Sequence, residues 1–310
     1  MPDGSSVRNP FQLPKMPPEP CPPLRPWEWD IHLEYYVAVD KTEAAFADFE
    51  RQTRSPESLT AHGRLVVVLG GEGCGKTSLI NRCIASTQKN LKAVGVASII
   101  VDLTVEAKNN QSIAERMRHV CDSLIDQLDV DQRLDKEILE ELRRKESPEK
   151  AYSYLSMVLK RIAATDDADL AVIVLLPPSD DLAEEVVKYS DLVRPRLLFF
   201  AESSYLAANR GWQAKLTRSG PAPPIVLTVG ILDPRDGYVF ARERLSRHHG
   251  KIPMLREDAM NELQDKKPDL AIGQVQRLLF EVYEGVLQQE QPVEEVTMTH
   301  ITDHILQAWH

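Results

Sequence analysis

The sequence predicts an α/β fold in which a mostly parallel five-stranded sheet carries helices on both faces. Five apolar runs, rich in β-branched residues, alternate along the chain with segments of helical periodicity. Strands that are buried on both faces of a parallel sheet have this unbroken apolar character. After residue 250 the pattern changes to helices only, which predicts a helical domain at the C-terminal end.

The size and charge of the chain restrict the classes of partner. Its 310 residues are enough for about two domains, and the net charge of −10 disfavours nucleic acid and anionic membranes. We expect no membrane contact and a cytoplasmic location, while contact with nucleic acid stays open. The cysteines have neither the spacing of a zinc site nor that of a disulfide framework, which indicates free thiols in a reducing compartment.

The first segment, residues 1–40, is predicted to be a proline-rich extended arm. Proline removes a backbone donor and fixes φ, so a cluster of prolines disfavours both helix and sheet. An aromatic cluster follows the prolines and consists of Trp27, Trp29, Tyr35 and Tyr36. Such rings either anchor the arm on the core or contact a partner or an adenine ring.

The second segment, residues 41–250, is predicted to be the α/β domain. It begins with a helix at Thr42–Gln52, which has apolar side chains on one face. The predicted strands are residues 65–69, 96–103, 170–176, 197–201 and 225–232. The predicted helices between them are residues 112–128, a charged helix within 135–146, and a helix that begins at Pro148.

The third segment, residues 251–310, is predicted to be a small helical domain. Its helices are expected at residues 255–263, 272–287 and 299–309, where apolar residues recur at helical spacing.

The strongest motif lies between the first strand and the following helix. It matches GxxxxGK[ST], a phosphate-binding loop, in the strand, loop and helix context that this motif requires. The predicted nucleotide-binding residues are Gly70, Gly71, Glu72, Gly73, Cys74, Gly75, Lys76, Thr77 and Ser78. Glycines permit the backbone N–H groups to turn inward around a phosphate, and the helix N-terminus adds positive potential.

Two side chains of the loop have distinct predicted roles. The Lys76 ammonium would lie between the β- and γ-phosphates, and the Thr77 hydroxyl would be a ligand of Mg²⁺. The sequence therefore predicts that the chain binds Mg-ATP. No base-reading motif of the GTP-binding type occurs, which favours ATP.

Hydrolysis requires acids near the triphosphate, and the sequence offers several. Asp180 and Asp181 follow the third strand after two prolines, and they either serve magnesium and the attacking water or cap the next helix. Asp102, at the end of the second predicted strand, and Glu202, directly after the fourth, are alternatives.

With these features the sequence resembles the AAA+ class of P-loop ATPases, especially its origin-recognition, transposition-regulator and STAND-like relatives, over residues 40–310. The resemblance implies that the C-terminal helices form a lid over the nucleotide and that Arg277, one residue late in a GxxR-like pattern, contacts the phosphates. It also implies a polar sensor at Ser203 or Ser204. An arginine finger from a neighbouring subunit would correspond to Arg210 or Arg218.

Two functions remain open from the sequence. The first is an ATPase that works as a nucleotide-dependent switch or in assembly, with slow turnover and self-association. The second is a regulator or scaffold that binds nucleotide without hydrolysis and contacts a protein partner through the arm or through its acidic surface. A nucleotide kinase is a third alternative, but no arginine-rich acceptor lid supports it.

Overall fold

The computed structural model describes residues 8–104, 112–131, 134–165, 169–178, 182–204, 222–248, 252–289 and 291–307. The chain divides into two compact units. The sheet unit comprises Ala44–Gly70 and Leu79–Thr228, and the helical unit comprises Met1–Glu43, Gly71–Ser78 and Val229–His310. These units group the residues differently from the three predicted segments, whose boundaries stay predictions.

The sheet unit contains the predicted five-stranded sheet. Its strands are β1 (Arg64–Leu69), β2 (Val96–Asp102), β3 (Asp169–Leu175), β4 (Leu197–Ser203) and β5 (Ile225–Thr228). Their order is β2-β3-β4-β1-β5, and all the pairs are parallel. The predicted fold class is confirmed, although the predicted fifth strand was too long at its C-terminal end.

Helices accompany these strands along the described chain. They are α1 (Thr42–Gln52), α2 (Pro56–His62), α3 (Lys76–Ala93), α4 (Ile113–Val130), α5 (Lys136–Arg143), α6 (Pro148–Thr165) and α7 (Leu182–Leu192). Signals for helix N-termini in the sequence account for the starting residues of two of these helices. Ser112 and Glu115 form a capping box at α4, and Pro148 occupies the first position of α6.

Both faces of the sheet are covered, which explains the unbroken apolar strands. Leu65 and Val67 of β1 belong to a core cluster formed with α4 to α7. On β4, Phe200 contacts Phe49 of α1, with ring centroids 6.3 Å apart. Phe49 is fully buried, so α1 covers part of the sheet that this cluster does not reach.

The helical unit contains a 3-10 helix, α helices and two short strands. They are Asp30–Tyr35 (3-10), α8 (Asp236–Leu245), β6 (Met254–Leu255), α9 (Glu257–Lys266), α10 (Ile272–Leu287), β7 (Glu295–Val296) and α11 (Met298–Gln307). The prediction of helices only after residue 250 is wrong, because β6 and β7 pair in parallel. Strands of two residues are too short to produce a detectable period.

The N-terminal arm forms part of the core of the helical unit. Phe11 is fully buried, and its ring lies 5.2 Å from that of Tyr283 and 6.2 Å from that of Phe240, measured between centroids. Within the described ranges, every helix is too short or too polar to cross a lipid bilayer.

Candidate nucleotide-binding site

The predicted phosphate loop begins where the strand order of the sheet reverses. β1 lies between β4 and β5, and the chain leaves it toward β2 at the far edge. Ligands of open α/β sheets bind at the carboxyl ends of strands at such a position. The Gly70 N–H donates to the Ser203 carbonyl over 3.1 Å, so the hydrogen-bonding pattern of the sheet extends to the start of the loop.

Two glycines give the loop its turns. Gly73 has φ of +74° and Gly75 has φ of +72°, values that other residues rarely adopt. The Cys74 N–H donates weakly to the Gly71 carbonyl over 3.4 Å. α3 then begins at Lys76, so its first unpaired N–H groups lie at the end of the loop.

The lysine of the loop is folded back onto the loop itself. Lys76 is 7% exposed, and its Nζ donates to the Gly71 carbonyl over 2.7 Å. The ammonium is therefore held beside the backbone that would surround a phosphate. Burial raises the pKa of the Cys74 thiol, which keeps this side chain neutral at physiological pH.

The N-terminal end of α10 is docked on the loop within the helical unit. The Gly273 N–H donates to the Gly73 carbonyl over 2.8 Å. A Cβ atom at Gly273 would lie 2.9 Å from that oxygen, so glycine is required for this close approach. Ile272 also packs here, because its Cγ2 lies 3.4 Å from the Cβ position of Gly75.

Asp40 lies on the same side of the loop and was not recognised in the sequence. Its Oδ2 is 3.5 Å from the Cβ position of Gly75. The side chain is 1% exposed, and burial raises its pKa to about 7, although hydrogen bonds from Thr42 oppose the shift. In the sequence, Asp40 looks like an ordinary residue before a helix. Its contact with the loop becomes visible only in the structure, where the side chain is buried.

The arm also contacts the site, at the residue after Thr77. The Leu24 N–H donates to Ser78 Oγ over 3.1 Å, and the Tyr36 hydroxyl donates to the Ser78 carbonyl over 2.6 Å. The sequence suggested that Tyr36 anchors the arm or contacts a partner or an adenine, but nothing in it indicated Leu24.

The acids proposed for hydrolysis lie at different places in the sheet relative to β1, or outside the described residues. Asp180 and Asp181 lie outside the described residues. Glu202 lies in β4 opposite Val68 of β1 in the sheet register. Asp102 ends β2 at the far edge of the sheet, where its Oδ1 accepts a hydrogen bond from the Thr104 N–H over 3.0 Å.

The polar and basic residues implied by the resemblance also differ in placement. Ser203 is buried at the end of β4, and Ser204 is exposed in the following bend. Arg277 is exposed on α10, and its charge lies close enough to the Cys21 thiol to lower that group's pKa against the larger opposing effect of burial. Arg210 and Arg218 lie outside the described residues.

The donor chemistry of the site fits magnesium in the way expected for a phosphate loop. The part of the chain that the structure describes contains no cluster of three acidic, histidine or cysteine side chains that could hold a metal alone. Mg²⁺ commonly keeps several waters and is bound through few protein oxygens together with substrate phosphates. The Thr77 hydroxyl is suitable as such an oxygen ligand.

The comparisons with known proteins show similarity in structure and not in sequence. No protein-family model and no curated protein sequence matches the chain. Among solved structures, the ORC2 protein of Aeropyrum pernix, in ADPNP and ADP complexes, matches with a TM-score of 0.58 and 13% identity, covering 96% of this chain and 71% of that one. A Walker-type ATPase of Pyrococcus abyssi matches with a TM-score of 0.54 and 13% identity, covering 97% and 76%.

A third match is the ORC1 protein of Aeropyrum pernix in complex with DNA. Its TM-score is 0.51 and its identity 13%, and the match covers 84% of this chain and 64% of that one. The chain therefore has the fold of the AAA+ P-loop ATPases. Solved structures with a similar fold include the ORC proteins.

Proposed function

We propose that the chain binds Mg-ATP through the loop Gly70 to Ser78 and works as a nucleotide-dependent switch or assembly ATPase. The observation that carries this proposal is the loop itself, with two left-handed glycines, a folded-in Lys76 and a helix that begins at that lysine. Backbone N–H groups and the Lys76 ammonium would bind the phosphates. The bound Mg²⁺ would neutralise charge on the phosphate oxygens.

The remaining roles are proposals that follow from position. Thr77 would be a ligand of magnesium, and Arg277, together with Ser203 or Ser204, would respond to the γ-phosphate. Asp180 and Asp181 remain the leading acids for hydrolysis, with Glu202 as the described alternative on the strand beside β1. A regulator that binds nucleotide without turnover is the second candidate, because two prolines separate β3 from the aspartates.

The proposed partners are a nucleotide and further copies of this chain, with a protein partner through the arm as an additional proposal. The ORC2 neighbour was solved with adenine nucleotides, which supports ATP as the ligand here. The ORC1 neighbour was solved with DNA, but the net charge of −10 opposes DNA binding by this chain.

The first prediction tests the phosphate loop. Lys76→Ala should weaken ATP binding at least about tenfold, because it removes a charge-assisted contact to the phosphates. Isothermal calorimetry with Mg-ATP measures the affinity, and the thermal midpoint shows whether the variant is folded. Lys92→Ala, in the last turn of the same helix, is the matched control. Unchanged ATP affinity in folded Lys76→Ala protein would rule out the phosphate-loop assignment.

A further inference from the structure

The N-terminal arm makes specific hydrogen bonds to α10, the helix whose N-terminal end is docked on the phosphate loop. Asn9 Nδ2 donates to the Phe280 carbonyl over 2.8 Å and to Glu284 Oε1 over 3.0 Å. Gln276 Nε2 donates to the Phe11 carbonyl over 2.6 Å and to the Pro20 carbonyl over 3.2 Å. Asn9 and Gln276 are both buried, so these bonds are shielded from water.

The later part of the arm reaches the loop. Leu24 and Tyr36 both donate to Ser78, one to the hydroxyl and one to the carbonyl. Ser78 is the third residue of α3 and directly follows Thr77, the proposed magnesium ligand. The arm therefore fixes both the side chain and the backbone of a residue in the predicted nucleotide site.

Buried His32 holds the two parts of the arm in one conformation. Its Nδ1 accepts from the Arg25 N–H over 2.9 Å, and its Nε2 lies 2.8 Å from the Pro14 carbonyl. The ring can make both bonds only as the neutral tautomer with its proton on Nε2. Burial lowers the pKa of His32, which favours this neutral form.

The loop and α10 also contact each other directly. The bond from the Gly273 N–H to the Gly73 carbonyl joins the start of α10 to the loop. The arm thus connects two elements that already touch, and the three form a closed set of contacts within the helical unit. Separation of α10 from the loop would break these contacts, so the arm opposes that movement.

We propose that residues 9–36 are a strap that joins α10 to the phosphate loop and slows the release of bound nucleotide. This inference rests on the proposed function and concerns the regulation of the same site. Loosening of the strap, by a partner or by modification, would then raise the rate of nucleotide exchange without a change in the loop residues.

Two variants loosen the strap at opposite ends with little change of shape. Tyr36→Phe removes the hydroxyl that binds Ser78, and Gln276→Leu removes the amide that binds the arm. Deletion of the arm is a poorer test, because it would remove Phe11 from the core. Ser156→Ala is the matched control, since it removes a buried hydroxyl that donates to the Pro195 carbonyl over 2.9 Å within the sheet unit.

The measured quantity is the rate at which a fluorescent ATP analogue is released. Stopped-flow fluorescence records this rate after excess ATP is added as the competitor. Each strap variant loses one or two hydrogen bonds, so it should release the analogue about five- to tenfold faster than the parent chain. The control should release it at the parent rate. Hydrogen exchange at the Phe11 and Leu24 amides should increase in Gln276→Leu. Parent-like release in both variants would overturn the strap alone. Failure of the parent chain to bind the analogue would overturn the proposed function and the strap with it.

Discussion

At the scale of single residues, Asp40 combines three features that rarely occur together in an aspartate. It is buried, its Oδ1 has no hydrogen-bond partner among the described residues, and its φ of +51° lies in the left-handed region. Lys41 also has positive φ, at +66°. Unusual backbone conformations and unpaired buried groups concentrate at functional sites, and this one lies against Gly75 of the phosphate loop.

The raised pKa of Asp40 gives a testable dependence of stability on pH. Between its ordinary pKa and about 7, the folded state holds a proton that the unfolded state has lost, so the folding free energy becomes less favourable as pH rises through this window. Asp40→Asn keeps the size and removes the titration. Its stabilising effect should therefore grow by about 2 kcal/mol between about pH 5.5 and about pH 8.

Urea unfolding at the two pH values measures this difference. Asp303→Asn is the control, because Asp303 is an exposed aspartate on α11. An Asp40→Asn effect that is the same at both pH values would show that the Asp40 carboxylate is ionised throughout this range.

At the scale of elements, the helices of the sheet unit were largely predictable because their signals are local. The Ser112 cap and Pro148 predicted where α4 and α6 begin, and the spacing of apolar residues predicted which faces of the helices are buried. α8 was missed, although it contributes Phe240 and Leu245 to the core of the helical unit. Its sequence carries four charged residues among ten, so the apolar face has few members and shows little periodicity.

One contact between elements of the sheet unit is an ion pair shielded from water. Arg116 of α4 and Glu185 of α7 lie 2.8 Å apart, with side-chain exposures of 12% and 4%. Removal of Glu185 takes the pairing carboxylate away from an arginine that is largely shielded from water. Glu185→Ala should therefore lower the free energy of unfolding by about 3 kcal/mol.

An exposed ion pair provides the comparison. Glu140 and Arg144 of the same unit lie 3.5 Å apart, with side-chain exposures of 64% and 70%. Glu140→Ala should change stability by at most about 1 kcal/mol. Chemical denaturation of both variants measures the contrast, and equal effects would show that burial adds nothing to the Arg116–Glu185 pair.

At the scale of the whole molecule, the sequence identified the loop but not the residues that meet it. Leu24, Asp40 and Gly273 are far apart along the chain, and each contacts the loop through long-range packing. Local periodicity carries no information on such contacts. The conformation of the loop was predictable because its strand, glycines, lysine and helix are contiguous in sequence, while phosphate binding by the loop stays a prediction.

The last prediction concerns catalysis by more than one copy of the chain. Phosphoryl transfer is accelerated when a cation from a neighbouring subunit stabilises the transition state, and Arg210 and Arg218 are the sequence candidates for that role. ATP turnover per chain should therefore rise with protein concentration over about a hundredfold range, in parallel with self-association. Phosphate release and light scattering at matched concentrations measure the two quantities.

Two variants separate the contributions to this turnover. Asp180→Asn combined with Asp181→Asn should retain ATP binding and lower turnover at least about tenfold, because the charge proposed to serve magnesium or water is lost while asparagine keeps the capacity to cap a helix. Lys76→Ala protein, added in excess to the parent chain, should raise parent turnover if it still supplies its arginine to a neighbour. Turnover per chain that is independent of concentration would place the catalytic cation within one copy. No turnover at any concentration would favour the regulator that binds ATP without hydrolysing it.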